Sequence, residues 1–144
     1  MLRRLSREIS LQILFQKEFN SEFDLNASIN YFKSVHKRDG QALEYSKYLV
    51  HGALEKIEDI DPMIQKYSKN WETSRMSAID RNILRLAIFE SIFASPQISP
   101  KIIINESLEI AKRFSSKDSA SFINGILDQC FKNESILSDE VTES

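Results

Sequence analysis

The sequence is poor in residues that interrupt regular structure, with only three glycines and three prolines among its 144 residues. This scarcity disfavours a fold with many tight turns and favours long uninterrupted elements. The single cysteine, Cys130, excludes an intrachain disulfide and any metal site built from several cysteines. His36 and His51 lie fifteen residues apart, a separation that matches no pair of metal ligands on one helix. The composition therefore predicts neither a metal site nor a bound cofactor.

Long apolar runs and catalytic motifs are also missing from the sequence. No apolar stretch approaches the ~18 residues of a membrane span. Arg7, Glu8 and Ser10 interrupt the N-terminal segment in which a signal peptide would have its apolar core. The three glycines are isolated from one another, so there is no glycine-rich phosphate loop. We therefore expect a cytoplasmic protein that is not an enzyme.

The net charge of −2 conceals an uneven distribution along the chain. Residues 134–144 carry four acidic side chains and no lysine or arginine, which leaves residues 1–133 at about +2. A short acidic segment of this kind is typical of a disordered tail. The sequence thus predicts one domain over 1–133, long enough to bury a single core, and a disordered tail over 134–144.

Apolar residues at spacings of three and four predict helices along nearly the whole chain. In the first helix this apolar band extends to Phe15 and Phe19, and the fourth helix is predicted to run towards Trp71. Helix starts are predicted at polar residues that precede an apolar periodic segment: Asp24, Asp61 before Pro62, Ser77 with Asp80, Ser99 before Pro100, and Ser115 with Asp118. About seven helices and no strand indicate an all-α fold, a compact helical bundle.

Three arginines stand at the head of the first predicted helix, in the stretch MLRRLSREISLQ. A helix N-terminus already carries partial positive charge, so Arg3, Arg4 and Arg7 are unfavourable there unless an anion compensates them. Phosphate is a suitable anion, because it accepts hydrogen bonds from free backbone N–H groups and from guanidinium groups. The alternative is a solvated basic terminus. We expect replacement of all three arginines by alanine to leave the thermal midpoint nearly unchanged or slightly raised.

Two further features lie on the last helices. Phe122 lies about 100° away from the core stripe that contains Ile123, on a flank shared with small polar residues, and Lys117 adds positive charge nearby. A ring in that position can stack on a nucleic-acid base, or it can pack against a neighbouring helix. In the preceding helix, Asn105 and Glu106 interrupt an apolar stretch, a pattern that favours internal hydrogen bonds.

Four strings, taken in order along the chain, resemble the NusB family of bacterial transcription antitermination factors. They are RRLSREISLQILFQ (3–16), IDPMI (60–64), IDRNILRLAIFE (79–90) and SPKIIINESLEIAKRFSSKDSASFINGILD (99–128). The resemblance covers about residues 3–131 and implies an all-helical fold of two packed subdomains. It implies no catalysed reaction.

The resemblance also implies partners. Members of the family pair with NusE, a protein of the small ribosomal subunit, and the pair binds the single-stranded boxA element of nascent ribosomal RNA leaders. The complex joins RNA polymerase and keeps it elongating past terminators. The positions implied for RNA contact are Arg3, Arg4, Arg7, Lys117, Asp118, Ser119 and Phe122. The positions implied for NusE contact are Phe15, Asp80, Ile83 and Arg85, although Asp80 equally fits the acid of a capping box.

Other functions stay open on the sequence alone. A protein-only helical adaptor would bind NusE without sequence-specific RNA contact. Some ribosomal RNA methyltransferases carry a similar N-terminal domain, but this chain has no glycine-rich cofactor loop or catalytic cysteine motif. Some family members form homodimers, and the sequence does not decide that point. Leu5 interrupts the basic motif, which predicts weak, salt-sensitive RNA binding that NusE reinforces.

Overall fold

The computed structural model describes residues 2–68 and 76–134. Within those ranges it contains seven α-helices, one π-helical segment and no strand, which confirms the all-α prediction. The helices are α1 (Leu2–Phe19), α2 (Leu25–Val35), α3 (Gly40–Glu55), α4 (Ile57–Tyr67), α5 (Ala78–Ile88), α6 (Pro100–Phe114) and α7 (Lys117–Glu134). The π-helical segment, Phe89–Phe93, continues α5 directly.

The helices form two groups that share one core. In the first group, α1 packs on α2 and α3. In the second, α6 and α7 pack on each other and on α5, and α4 lies against α5 and α7. Contacts of α1 with α5 and of α3 with α4 join the two groups. The fully buried aliphatic side chains come from both groups and include Ile9, Ile13, Leu49, Ile60, Leu84, Ile88 and Leu127.

Most of the predicted helix starts are confirmed. The Asp24 carboxylate accepts from the backbone N–H of Asn26 at 3.0 Å, and the Ser77 hydroxyl oxygen accepts from the N–H of Asp80 at 3.1 Å. Ser99 occupies the N-cap position of α6, and Pro100 stands in its first turn. These starts are determined by local hydrogen bonding and local backbone restriction, which is why the sequence reveals them.

The predicted start at Asp61 is wrong. Helix α4 begins at Ile57, so Pro62 lies inside the helix and Asp61 is not a cap. Two acidic residues in the first turn favour the earlier start, and that start carries Ile60 into the core, where it is fully buried. The predicted continuation towards Trp71 lies outside the described residues.

The predicted start at Ser115 is displaced by one residue. Ser116 is the residue whose hydroxyl oxygen accepts from the backbone N–H of Ser119, at 3.0 Å, and α7 begins at Lys117. The hydroxyl of Ser115 donates instead to Asp80. The sequence cannot distinguish two adjacent serines, because the choice between them depends on the carboxylate that α5 presents.

The predicted tail begins within α7. Glu134 is the last residue of that helix, and its carboxylate accepts hydrogen bonds from the Lys66 ammonium group at 2.9 Å and from the Tyr67 hydroxyl. Glu134 therefore belongs to the folded domain and ties the end of α7 to α4. Residues 135–144 lie outside the described residues, so disorder of the tail stays a prediction.

Candidate nucleic-acid interface

The first turn of α1 contains no acidic residue, so other helices supply the counter-charges for its arginines. Arg4 forms a two-pronged ion pair with Glu106 of α6, with Nε–Oε1 and Nη2–Oε2 distances of 3.0 and 2.6 Å. The Arg4 side chain remains 44% exposed, whereas that of Glu106 is 18% exposed. The hydrogen bond from Arg4 lowers the pKa of Glu106. The internal hydrogen bond predicted for Glu106 is thus confirmed, and its donor is one of the arginines.

Arg7 lies deeper than Arg4 and has a carboxylate of its own. Its Nε and Nη2 atoms donate to the two oxygens of Glu90 at 2.6 and 2.9 Å, and the two side chains are 7% and 1% exposed. The Tyr45 hydroxyl donates to Glu90 as well, at 2.6 Å. Burial opposes the charge of Arg7, but the hydrogen bonds and charge of Glu90 outweigh it and raise the pKa of Arg7. Arg7, Glu90 and Tyr45 form a buried polar network.

The π-helical segment holds Glu90. The N–H of Ala94 donates to the carbonyl oxygen of Phe89 at 2.8 Å, which closes a turn wider than that of an α-helix. From this segment the Glu90 carboxylate reaches Arg7 on α1 and Tyr45 on α3. Sequence reasoning missed the role of Glu90, since its place on an apolar helical face gives no sign of a distant arginine.

Arg3, which belongs to α1, lies near this network and contacts Tyr45 of α3. Its guanidinium carbon lies 4.8 Å from the centroid of the Tyr45 ring, a cation–π arrangement. The Tyr45 ring also stacks on Tyr48, with centroids 6.0 Å apart. Burial, together with the charge and hydrogen bond of Glu90, raises the pKa of Tyr45, so its hydroxyl acts as a donor at physiological pH. The three arginines predicted to bind RNA therefore all have partners within the protein.

The start of α7 carries the other residues predicted to contact RNA. Lys117 and Asp118 are exposed, and Ser119 is half-buried. Phe122 is half-buried and packs against the core. This agrees with the packing alternative, and stacking of the ring on a nucleic-acid base stays a prediction.

Helix α6 connects the start of α7 to the arginines of α1. Glu106 holds Arg4, and two turns further along α6 the guanidinium of Arg113 donates to Glu8 at 2.9 and 3.0 Å. Arg113 lies four residues before the first residue of α7. Ion pairs therefore attach the first two turns of α1 to the helix that leads into the α7 start.

Asp80 has a role that neither sequence-based interpretation anticipated. Its side chain is turned towards the α6–α7 junction, where its oxygens accept from the hydroxyls of Ser115 and Ser119 at 3.1 and 2.9 Å. Only half of the predicted capping box is present, because Ser77 caps Asp80 while the carboxylate serves α7. Asp80 is 7% exposed and fastens the junction onto α5.

The other residues predicted to contact NusE divide between core and surface. Ile83 is 3% exposed and belongs to the core. Arg85 lies between two carboxylates, with both oxygens of Asp61 at 2.8 Å and Glu18 at 3.4 Å. Burial of Arg85 is outweighed by these partners, chiefly Asp61, and the pKa of Arg85 is raised. Of the four predicted residues, Phe15 is the one whose apolar side chain faces solvent.

Phe15 forms an exposed aromatic pair with Phe19. The ring centroids are 4.8 Å apart, and the two side chains are 38% and 69% exposed. The apolar band predicted for α1 included Phe19, but the helix extends past the core before it reaches that residue. Glu18, which precedes Phe19 in the sequence, accepts from Arg81 at 2.8 Å and from Asn82 at 2.8 Å. This polar network anchors α1 to α5 directly beside the exposed rings.

No group of three or more histidine, cysteine, aspartate or glutamate side chains in 2–68 and 76–134 is placed to hold a metal ion. In the same ranges, no helix has both the length and the apolar character needed to cross a membrane.

Comparisons with known proteins agree with the resemblance found in the sequence. A family model described as the NusB family matches residues 4–132. The chain is 42% identical over 130 residues to the transcription antitermination protein NusB of Bdellovibrio bacteriovorus, covering 90% of this chain and 95% of the relative. It is 44% identical over 135 residues to NusB of Desulforamulus reducens, covering 93% and 92%.

Solved structures show the same likeness. The fold superposes on NusB of T. maritima with a TM-score of 0.80 at 35% identity, covering 92% of each chain. It also superposes on a chain from the crystal structure of the antitermination factors NusB and NusE in complex with double-stranded RNA. There the TM-score is 0.76 at 27% identity, with 91% of this chain and 96% of the other covered.

Proposed function

The chain belongs to the NusB family of transcription antitermination proteins, which are not enzymes, and we propose that it binds boxA-type single-stranded RNA together with NusE. The complex then joins the elongating RNA polymerase in the cytoplasm and lets it pass terminators. A solved relative that contains NusB, NusE and RNA supports this pairing of partners.

The observation that carries the RNA-binding proposal is the surface formed by the first turn of α1, α6 and the start of α7. Arg4 joins α1 to α6, Arg3 lies beside Tyr45 of α3, and Lys117 and Phe122 belong to the first two turns of α7. Guanidinium and ammonium groups bind phosphates, and the half-buried Phe122 is the side chain proposed to stack on a base. Asp118 and Ser119 stand between, at the first turn of α7.

Arg7 serves this surface from beneath. At 7% exposure and paired with Glu90, its guanidinium is not available to a phosphate in the way that the Arg4 guanidinium is. We assign Arg7 a positioning role, because its ion pair holds the start of α1 against α3 and the π-helical segment. Asp80 plays the corresponding role for α7 through its bonds to Ser115 and Ser119.

NusE is proposed to dock on the exposed rings of Phe15 and Phe19. An exposed aromatic pair beside an ordered polar network is typical of the centre of a protein–protein interface. Arg85 supports this surface through its ion pair with Glu18, whereas Ile83 lies in the core and Asp80 holds the α6–α7 junction. A homodimer formed through the same rings would exclude NusE, so the two assemblies would compete.

The function is tested by titrating a fluorescent boxA-like RNA with the protein, alone and with NusE, against a scrambled RNA of equal length. Selective binding that tightens with NusE supports the proposal. With three to five phosphates contacted, the logarithm of the association constant should fall with the logarithm of salt concentration with a slope of roughly −2 to −3.5. Equal binding of both RNAs, despite a formed NusE complex, would refute sequence-specific binding.

One observation favours the alternative of a protein-only adaptor. Arg4 and Arg7 are both paired with carboxylates of the same chain, so the positive charge of the α1 start is largely neutralised. The two functions separate when Arg3 and Arg4 are replaced by alanine. An RNA-binding factor loses RNA affinity and keeps NusE affinity, whereas an adaptor that contacts protein alone shows no change in the assembly it forms.

A further inference from the structure

We propose that Glu106 is a built-in competitor of RNA for Arg4, so that an RNA phosphate binds this guanidinium by replacing a carboxylate. The inference rests on the RNA-binding function proposed above and specifies how its α1 side works. It assigns to Glu106 a role in determining the affinity for RNA of any sequence.

The geometry of the pair is the first argument. Glu106 accepts from Nε and Nη2 of Arg4, at 3.0 and 2.6 Å. A phosphate group engages arginine through the same planar fork of parallel N–H donors. A phosphate that takes this Nε–Nη2 fork needs the atoms that Glu106 occupies, so the two anions cannot both hold this two-pronged position at once.

The second argument is the difference in burial between the two partners. The Arg4 side chain is 44% exposed, so an incoming phosphate can approach it from solvent, while the Glu106 side chain is 18% exposed. Such a partly exposed ion pair is worth little stability and is readily exchanged. The pair is thus open to competition, in contrast to the buried pair of Arg7 and Glu90.

The third argument is that Glu106 has a second cationic neighbour, Arg7. Its Oε1 atom lies 3.5 Å from Nη1 of Arg7, a guanidinium that is already held in place by Glu90. When a phosphate takes Arg4, the Glu106 carboxylate keeps a positive neighbour and is not left unpaired. A displaced carboxylate without such a neighbour would carry a large penalty.

The exchange lowers the affinity for every RNA and leaves the preference between RNA sequences unchanged. Phosphate contacts carry no sequence information, so a protein with fully available arginines gains affinity for every RNA alike. A competing carboxylate lowers this general affinity and leaves the contacts to bases, and to NusE, to decide which RNA is bound. Removal of Glu106 should therefore strengthen binding of boxA-like and scrambled RNA by the same factor.

The test compares Glu106→Gln with Glu109→Gln, each in the full chain. The pKa of Arg4 is raised chiefly by its hydrogen bond to Glu106, with a smaller contribution from the charge of Glu109, which is exposed on the same helix. The two variants change the net charge equally, so their difference isolates the direct pairing with Arg4. We expect Glu106→Gln to bind both RNAs about two- to fivefold more tightly than Glu109→Gln at low salt, the factor that corresponds to one partly exposed ion pair.

A second pair of variants shows whether the gain passes through Arg4. In an Arg4→Ala background, Glu106→Gln should no longer strengthen binding, because the guanidinium for which the two anions compete is absent. A gain that persists in this background would overturn the proposal and trace the effect to net charge or to Arg7. Thermal midpoints of all variants are measured alongside, so that a loss of folded protein is not counted as a loss of affinity.

The outcomes separate this inference from the proposed function. Selective boxA binding without any difference between Glu106→Gln and Glu109→Gln would refute the competitor and keep the function. An Arg4-dependent gain on both RNAs without selectivity would support the competitor and refute sequence-specific recognition. Absence of binding to either RNA by every variant would refute both.

Discussion

Replacement of Arg7 by alanine tests whether the N-terminal arginines serve the fold before they serve RNA. The Glu90 side chain is 1% exposed, and the variant removes its cationic partner. The Tyr45 hydroxyl is then the side-chain donor of this network that remains for Glu90. Removing one partner of a buried ion pair costs about 3–5 kcal/mol. Because Tyr45 still donates, we expect the lower end of this range, about 3 kcal/mol.

The matched control is Arg4→Ala, which removes the same charge from the same turn of α1. Its pair with Glu106 is partly exposed and is worth less than about 1 kcal/mol. In a domain of this size, 3 kcal/mol corresponds to a fall of roughly 10 °C in the thermal midpoint, against at most about 3 °C for the control. Urea unfolding should show a lower midpoint concentration for Arg7→Ala with an unchanged slope.

Two further comparisons sharpen the result. High salt should reduce the small effect of Arg4→Ala and leave that of Arg7→Ala nearly intact, because a buried pair is poorly screened. Arg7→Met combined with Glu90→Gln should recover much of the loss, since no charge is then buried without a partner. A thermal midpoint of Arg7→Ala within about 2 °C of Arg4→Ala would refute the reasoning and restore the sequence-based expectation that all three arginines are dispensable for stability.

Three other substitutions test the site, and one labelling experiment tests the core. Glu106→Gln should lower the free energy of unfolding by less than about 1 kcal/mol at pH 7. Because Arg4 lowers the pKa of Glu106 in the folded state, this loss is complete above the ordinary pKa of 4.5 and disappears as the pH falls through the lowered pKa. Urea unfolding at a series of pH values measures it. Asp80→Asn should cost about 1–2 kcal/mol and speed amide exchange at the α6–α7 junction, whereas unchanged exchange would contradict its role as a fastener. Phe122→Ala should cost about 1–3 kcal/mol of RNA affinity in titrations, and a purely structural ring would lower the thermal midpoint without this loss. Burial raises the pKa of Cys130 to about 12, so a thiol reagent at pH 8 should label it only at the rate of unfolding; rapid labelling of the native protein would count against its burial.

The helices could be predicted from the sequence because their signals are local. Asp24 and Ser77 cap the residues that follow them within three positions, and the spacing of apolar residues reports which face is buried. The start of α4 was missed for a related reason. Asp61 before Pro62 is a valid local signal for a helix start. It does not report tertiary contacts, and here the burial of Ile60 in the core and the pairing of Asp61 with Arg85 accompany the earlier start.

The arginine partners could not be predicted, because they are distant in the sequence. Arg7 and Glu90 are 83 positions apart, and the π-helical segment that holds Glu90 has no sequence signature that reasoning from periodicity detects. The sequence shows three arginines at a helix start, which need a compensating anion, and phosphate is the predicted anion. The structure supplies Glu106 and Glu90 in its place, and phosphate is the proposed second ligand of Arg4.

The ion pairs between α1 and α6 explain why a carboxylate, that of Glu106, lies at the proposed phosphate site of Arg4. Arg4 faces Glu106, and Glu8 faces Arg113, so the two pairs have opposite polarity along the contact. A shift of α1 by one turn would bring Glu8 opposite Glu106, carboxylate against carboxylate, which disfavours that register. Glu106 thus helps to align α1 on α6, and the same carboxylate occupies the Nε–Nη2 fork of Arg4. Strong phosphate binding by Arg4 would be favoured by the absence of Glu106, whereas a unique register of α1 on α6 is favoured by its presence. We therefore expect base contacts and NusE to supply the rest of the RNA affinity.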